Sequence, residues 1–171
     1  NSRETLADLY LELGLEDRGM NTFEEFHTVY NHYNLIFWDR FRKGFINRDE
    51  LRWKRMWRTL VDFKIADEKL ARDMSERYLE ILPTKKNLFH DTIEILEYLK
   101  AKSYPLHLIT NGFEKTQHAK MKNSGIDHYF THVITSEAAG IMKPHVALFE
   151  YAMEKAGAKP HHCIMIGDTL D

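Results

Sequence analysis

Near residue 87 the spacing of apolar residues changes, and that change constrains the fold more than any other feature of the chain. Upstream, apolar residues recur at intervals of three and four, the helical period. Leu6, Leu9 and Leu13 predict a short helix that Gly14 closes in the left-handed conformation. Thr22 followed by Glu25 is a capping-box signature, after which Phe26, Val29, Tyr30, Tyr33, Phe37 and Phe41 form one long apolar face that ends at Gly44. Asn47 with Glu50 repeats the start signal for a third helix carrying Leu51, Met56, Leu60 and Val61. Asp67 caps a fourth, with Leu70, Met74 and Leu82 inside and Pro83 stopping it.

Downstream, helices alternate with short apolar strands, the pattern of a parallel α/β sheet. Asp91, with Glu94 at the capping-box position, starts a helix that runs to Lys102, and residues 105–110 (PLHLIT) read as a strand. A helix over 114–123 ends at Gly125, and residues 132–135 form a second strand. Pro144 fits the first turn of a helix that continues to Lys155, and residues 163–166 (CIMI) predict a third strand. The sequence therefore divides into a helical part, 1–86, and an α/β part, 87–171.

Composition narrows the function classes. With 24 Lys and Arg against 26 Asp and Glu, the net charge is -2, which argues against a protein that coats nucleic acid. The single cysteine, Cys163, cannot form an internal disulfide and suits a reducing, cytoplasmic setting. No stretch approaches the roughly 18 consecutive apolar residues of a membrane span, and the segment from Asn1 onward reads as charged rather than as a signal peptide. The chain begins at Asn1 rather than Met and stops at Asp171 just past an apolar run, so both ends read as cut.

In open parallel sheets ligands bind beyond the carboxyl ends of the strands. After the first strand come Thr110, Asn111 and Gly112: a hydroxyl and a turn whose glycine lets backbone amides approach an anion, although Asn-Gly is also an ordinary turn. After the second comes SEAAGIMKP, residues 136–144, which sets Lys143 at the mouth of the sheet, where a lysine is also at home simply solvated. The third leads into Gly167, Asp168 and Thr169. A carboxylate there suits a hard divalent ion such as Mg²⁺, or the cap of a following helix. A hydroxyl, a cation and a carboxylate on successive strand ends are parts for handling a phosphoryl group.

On these residues the sequence resembles the haloacid dehalogenase-like superfamily, mostly phosphatases with an aspartate nucleophile. Thr110 after LIT matches the family's second motif, Lys143-Pro144 its third, and MIGD at Asp168 its fourth. ITNGF, SEAAGIMKP and MIGDT together resemble the bacterial pyrimidine 5'-nucleotidase branch. The resemblance implies a Rossmann-like α/β core, incomplete at both ends, with an inserted four-helix cap formed by residues 1–86. It implies that Thr110, Asn111 and Gly112 bind the phosphoryl group, that Lys143 offsets its charge, that Asp168 holds Mg²⁺, and that Trp38 lies near a loop that closes over the substrate. Asp171 is a poor fit to the further acid of the fourth motif. The family's first motif, Asp-x-Asp-x-Thr, which supplies the nucleophile and the general acid/base, is absent. The expected function is Mg²⁺-dependent hydrolysis of a small phosphorylated metabolite, with a nucleoside 5'-monophosphate as candidate substrate and a nucleophile outside these 171 residues, so that this segment alone is inactive. A 2-haloacid dehalogenase and a catalytically inactive binding or regulatory module are the alternatives.

The remaining signals are weaker. Residues 39–58 hold eight basic and three acidic side chains around Trp53 and Trp57. They read as a helix with its tryptophans on the core and its charges in water, rather than as a nucleic-acid patch. His161, His162 and Cys163 are consecutive, so as strand neighbours they point to opposite faces and do not make a zinc site. Met142, Met153 and Met165 read as packing.

Overall fold

The computed structural model describes residues 1–167, and the chain divides into two compact units, Asn1–Lys85 and Lys86–Asp171. The first unit is four helices: α1 (Ser2–Glu12), α2 (Phe23–Arg42), α3 (Arg48–Asp62) and α4 (Glu68–Ile81). Their starts follow the predicted caps. The Thr22 hydroxyl accepts from the Glu25 amide at 3.2 Å and the Asp67 carboxylate from the Leu70 amide at 2.8 Å. Asn47 and Glu50 close both halves of a capping box, at 2.9 Å each. Helix α3 packs between α2 and α4, and α1 contacts both α2 and α4. Leu6, Leu9, Phe26, Tyr30, Met56, Leu60 and Met74 are fully buried in the core they share, with Trp53 and Trp57 packed at its edge. Burying each such side chain contributes about 1.5–3 kcal/mol, so the apolar faces hold this unit together.

One of the eight basic residues departs from the expectation that they face water. Arg55 is only 3% exposed. Its guanidinium donates to Asn34 Oδ1 at 2.7 Å and lies 5.7 Å and 5.2 Å from the ring centroids of Tyr30 and Tyr78. Two aromatic faces and an amide oxygen thus take the place of water around the cation. The same burial raises the Tyr30 phenol well above its usual range.

The second unit contains α5 (Thr92–Ala101), β1 (His107–Thr110), α6 (Glu114–Asn123), β2 (His132–Thr135), the single turn α7 (Ser136–Ala139) and α8 (Val146–Ala156). Strands β1 and β2 pair in parallel, His107 opposite His132 and Thr110 opposite Thr135. Leu148 and Ala152 of α8 bury against Ile134, with Ile109 beside them. Architecturally this is an α/β unit with a parallel sheet, preceded in the chain by a helical one.

Several local readings need correction. Asp91 does precede α5, but its φ of +61° places it in the left-handed region and its side chain makes no cap bond; its carboxylate lies 2.6 Å from His90 Nδ1 instead. Pro144 stays outside α8, because His145 is the cap, its Nδ1 accepting from the Ala147 amide at 3.2 Å. Residues 163–166 do not form a strand. Ile164 and Ile166 are 89% and 83% exposed, and Met165 is exposed as well, because no strand among the described residues lies alongside to take up their backbone hydrogen bonds. No described helix is long and apolar enough to cross a membrane.

Candidate functional site

Because β1 and β2 run parallel with Thr110 opposite Thr135, both strands deliver their following loops to one edge of the sheet. Past Thr110 the chain turns through Asn111, Gly112 and the buried Phe113 into α6. Past Thr135 it makes the α7 turn, whose first amides the Thr135 hydroxyl caps by accepting from Ala138 at 3.1 Å. It then reverses at Gly140, whose φ of +68° favours glycine, and reaches Lys143.

Asn111 joins the two loops. Its Nδ2 donates to the Lys143 carbonyl at 3.0 Å, and the Lys143 amide donates back to Asn111 Oδ1 at 2.8 Å. This paired amide contact fixes the Lys143 backbone beside the turn that carries Thr110. The Asn111 Oδ1 and one of its two Nδ2 hydrogens are thereby committed to holding the loops, which leaves the second Nδ2 hydrogen and the backbone amide as the donors by which it would meet an anion. Lys143 is half-buried, and among the described residues its ammonium has no ion-pair partner. An ammonium that meets no carboxylate among the described residues is open to an anionic ligand.

The Thr110 hydroxyl accepts two hydrogen bonds, from the Gly112 amide at 3.0 Å and from Gln117 Nε2 at 2.9 Å. At the start of α6, Glu137 Oε2 accepts from the Glu114 amide at 3.0 Å, so a carboxylate from the second loop caps the helix that follows the first. Thr110, Asn111, Gly112 and Lys143 are thus brought together. Trp38 lies in the helical unit, half-buried, with its ring edge-on to Phe41 at 5.9 Å. Asp168 and Asp171 lie outside the described residues.

Sequence reasoning missed Gln117 and Glu137. Gln117 stands one helical turn past the Asn-Gly turn, and that spacing could have marked it as facing Thr110. The bond from Glu137 spans 23 residues and has no local signature. Among the described residues no three His, Cys, Asp or Glu side chains gather to hold a metal ion, His161, His162 and Cys163 included.

A model of the haloacid dehalogenase-like hydrolase family matches residues 3–171. The chain belongs to that family. Its glyceraldehyde 3-phosphate phosphatase relative from Methanothermobacter thermautotrophicus is 39% identical over 83 residues, 48% of this chain and 37% of the archaeal enzyme. Pyrimidine 5'-nucleotidase PynA of Streptococcus pneumoniae is 26% identical over 98% of this chain and 70% of its own length. Among solved structures, the magnesium-bound HAD-hydrolase YfnB of Bacillus subtilis superposes with a TM-score of 0.77 at 24% identity, covering 91% of this chain and 68% of that one, which shows a shared fold. The chain thus spans little more than a third of the archaeal phosphatase and about two thirds of the other two.

Proposed function

We propose that the protein is a phosphatase that hydrolyses a small phosphorylated metabolite, with a nucleoside 5'-monophosphate as first candidate, in the cytoplasm. The observation that carries this reading is the Asn111 tie, which fixes the Lys143 backbone beside the turn that follows Thr110, together with a Lys143 ammonium that has no ion-pair partner among the described residues. Phosphatase and nucleotidase relatives support it. Thr110 donates to a phosphoryl oxygen, backbone amides around Gly112 approach the same group, and Lys143 offsets the charge that spreads over the phosphoryl oxygens in the transition state.

The nucleophile in this reading is an aspartate outside these 171 residues, because the family's first motif does not occur within them. Its carboxylate oxygen attacks phosphorus, the bond from phosphorus to the ester oxygen breaks, and the alcohol departs with a proton from the general acid of the same motif, which the attacking water later returns. Water then cleaves the acyl phosphate, releasing inorganic phosphate and restoring the carboxylate. Mg²⁺ is the cofactor this reading calls for. The described residues do not by themselves fit that ion, since they present no ligand cluster. We assign it Asp168 as the carboxylate offered by this chain.

The test is a substrate panel on the full-length protein. Phosphate release from p-nitrophenyl phosphate that stops on chelation by EDTA, a preference for nucleoside monophosphates over sugar phosphates, and no halide release from 2-haloacids are the expected results. Halide release without added metal would point to a dehalogenase, and no turnover under any metal condition would point to an inactive module.

A further inference from the structure

A threonine hydroxyl has one proton to donate and two lone pairs to accept with. At Thr110 both lone pairs are occupied, by the Gly112 amide at 3.0 Å and by Gln117 Nε2 at 2.9 Å. Among the described residues nothing accepts the Thr110 proton. A hydroxyl that accepts twice can only donate in the direction that remains, so its rotor is fixed before any ligand arrives. Two donors bonded to the same oxygen also polarise its O–H and strengthen the bond it goes on to make. The Gly112 half of this arrangement comes with the turn itself. The Gln117 half is a side-chain contact across one turn of α6, and the chain is built to admit it: a Cβ on Gly112 would stand 1.9 Å from Gln117 Nε2 and 2.6 Å from its Cδ. Glycine at 112 therefore leaves the space in which the Gln117 amide sits.

We infer that Gln117 is a positioning residue, holding Thr110 as a pure hydrogen-bond donor toward an anionic oxygen of the transferring phosphoryl group. It acts through Thr110 and does not itself touch substrate. The inference rests on the phosphatase reading, and it assigns to that site a residue which neither the strand-end motifs nor the family resemblance had marked.

The experiment uses the full-length protein and p-nitrophenyl phosphate, with thermal melts run in parallel. Thr110→Val removes the donor and lowers kcat/KM by about 10²-fold or more. Gln117→Leu keeps the bulk of the side chain but lets the hydroxyl rotate, and lowers kcat/KM by about tenfold, the equivalent of one hydrogen bond. Because Gln117 works only through Thr110, adding Gln117→Leu to Thr110→Val costs nothing more. Gln117→Glu puts a carboxylate, which can only accept, beside the hydroxyl and turns its proton away from the substrate. It loses more than Gln117→Leu near neutral pH, and its deficit relative to wild type narrows as pH falls toward the glutamate range of about 4.3. Gly112→Ala, which displaces the Gln117 amide, reproduces the Gln117→Leu loss and serves where that variant folds poorly. Wild-type kcat/KM in Gln117→Leu and Gly112→Ala, additive losses in the double variant, or equal, pH-independent losses in the leucine and glutamate variants would each overturn the inference. Wild-type activity in Thr110→Val would instead overturn the phosphatase reading beneath it.

Discussion

His107 and His132 open the two strands side by side, their rings stacked 5.2 Å apart and 14° from parallel. Burial pushes the His107 imidazole below its ordinary value, and the neighbouring His132 pushes it further. Its Nδ1 is buried with no hydrogen-bond partner among the described residues, which suits a neutral ring better than a charged one. The sign of the pH dependence follows. An unfolded histidine takes up its proton near pH 6.5, whereas folded His107 waits for a lower pH. Between those two values the unfolded chain holds more protons, so stability falls as pH drops through about 6.5 and levels off once the folded ring is also protonated. His107→Val should flatten that loss in thermal melts taken from about pH 8 down to about pH 5. An unchanged acid-side slope would mean the stacked pair is not its source. Histidines at 107 and 132 are plain in the sequence, but their stacking depends on strand register, which no local pattern specifies.

At the scale of elements, the helices were the most legible part because each carried its own punctuation. Thr22, Asn47 and Asp67 cap as their spacing predicts, since the cap bond joins residues only three apart. Asp91 had the same spacing and failed, because its backbone takes the left-handed conformation rather than the extended one of the other three caps. Arg55 shows the opposite limit. Its charge suggested a solvated face, and only the tertiary arrangement of Tyr30, Tyr78 and Asn34 explains its burial. Removing it with Arg55→Ala should lower the stability of the helical unit by about 2–4 kcal/mol, through lost cation–π contact and lost packing of its stem. Arg55→Met, which refills the volume without a charge to desolvate, should recover most of that in urea melts. Equal losses for both variants would show that the charge, not the volume, holds the position.

Across the whole molecule, the two units differed in how far their sequences could be read. The helical unit closes its own core, so apolar periodicity located Leu6, Leu9, Phe26, Met56, Leu60 and Met74 inside it. In the α/β unit the same periodicity placed β1 and β2 but overcalled residues 163–166, since a strand exists only where a neighbour pairs with it. The strand-end motifs singled out Thr110, Asn111, Gly112 and Lys143 as candidates, whereas the contacts that join them, from Asn111 to Lys143 and from Gln117 to Thr110, cross 32 and seven positions and emerge only on folding. Those contacts make one chemical unit of two loops, and the account stands on that unit holding a phosphoryl group. Phosphate release by the full-length protein, compared between wild type and Lys143→Ala at matched thermal stability, tests this most directly. The expected result is EDTA-sensitive phosphatase activity in the wild type that falls by about 10²–10³-fold in the variant, as for loss of a principal charge-stabilising donor. Near-normal turnover in Lys143→Ala would contradict it.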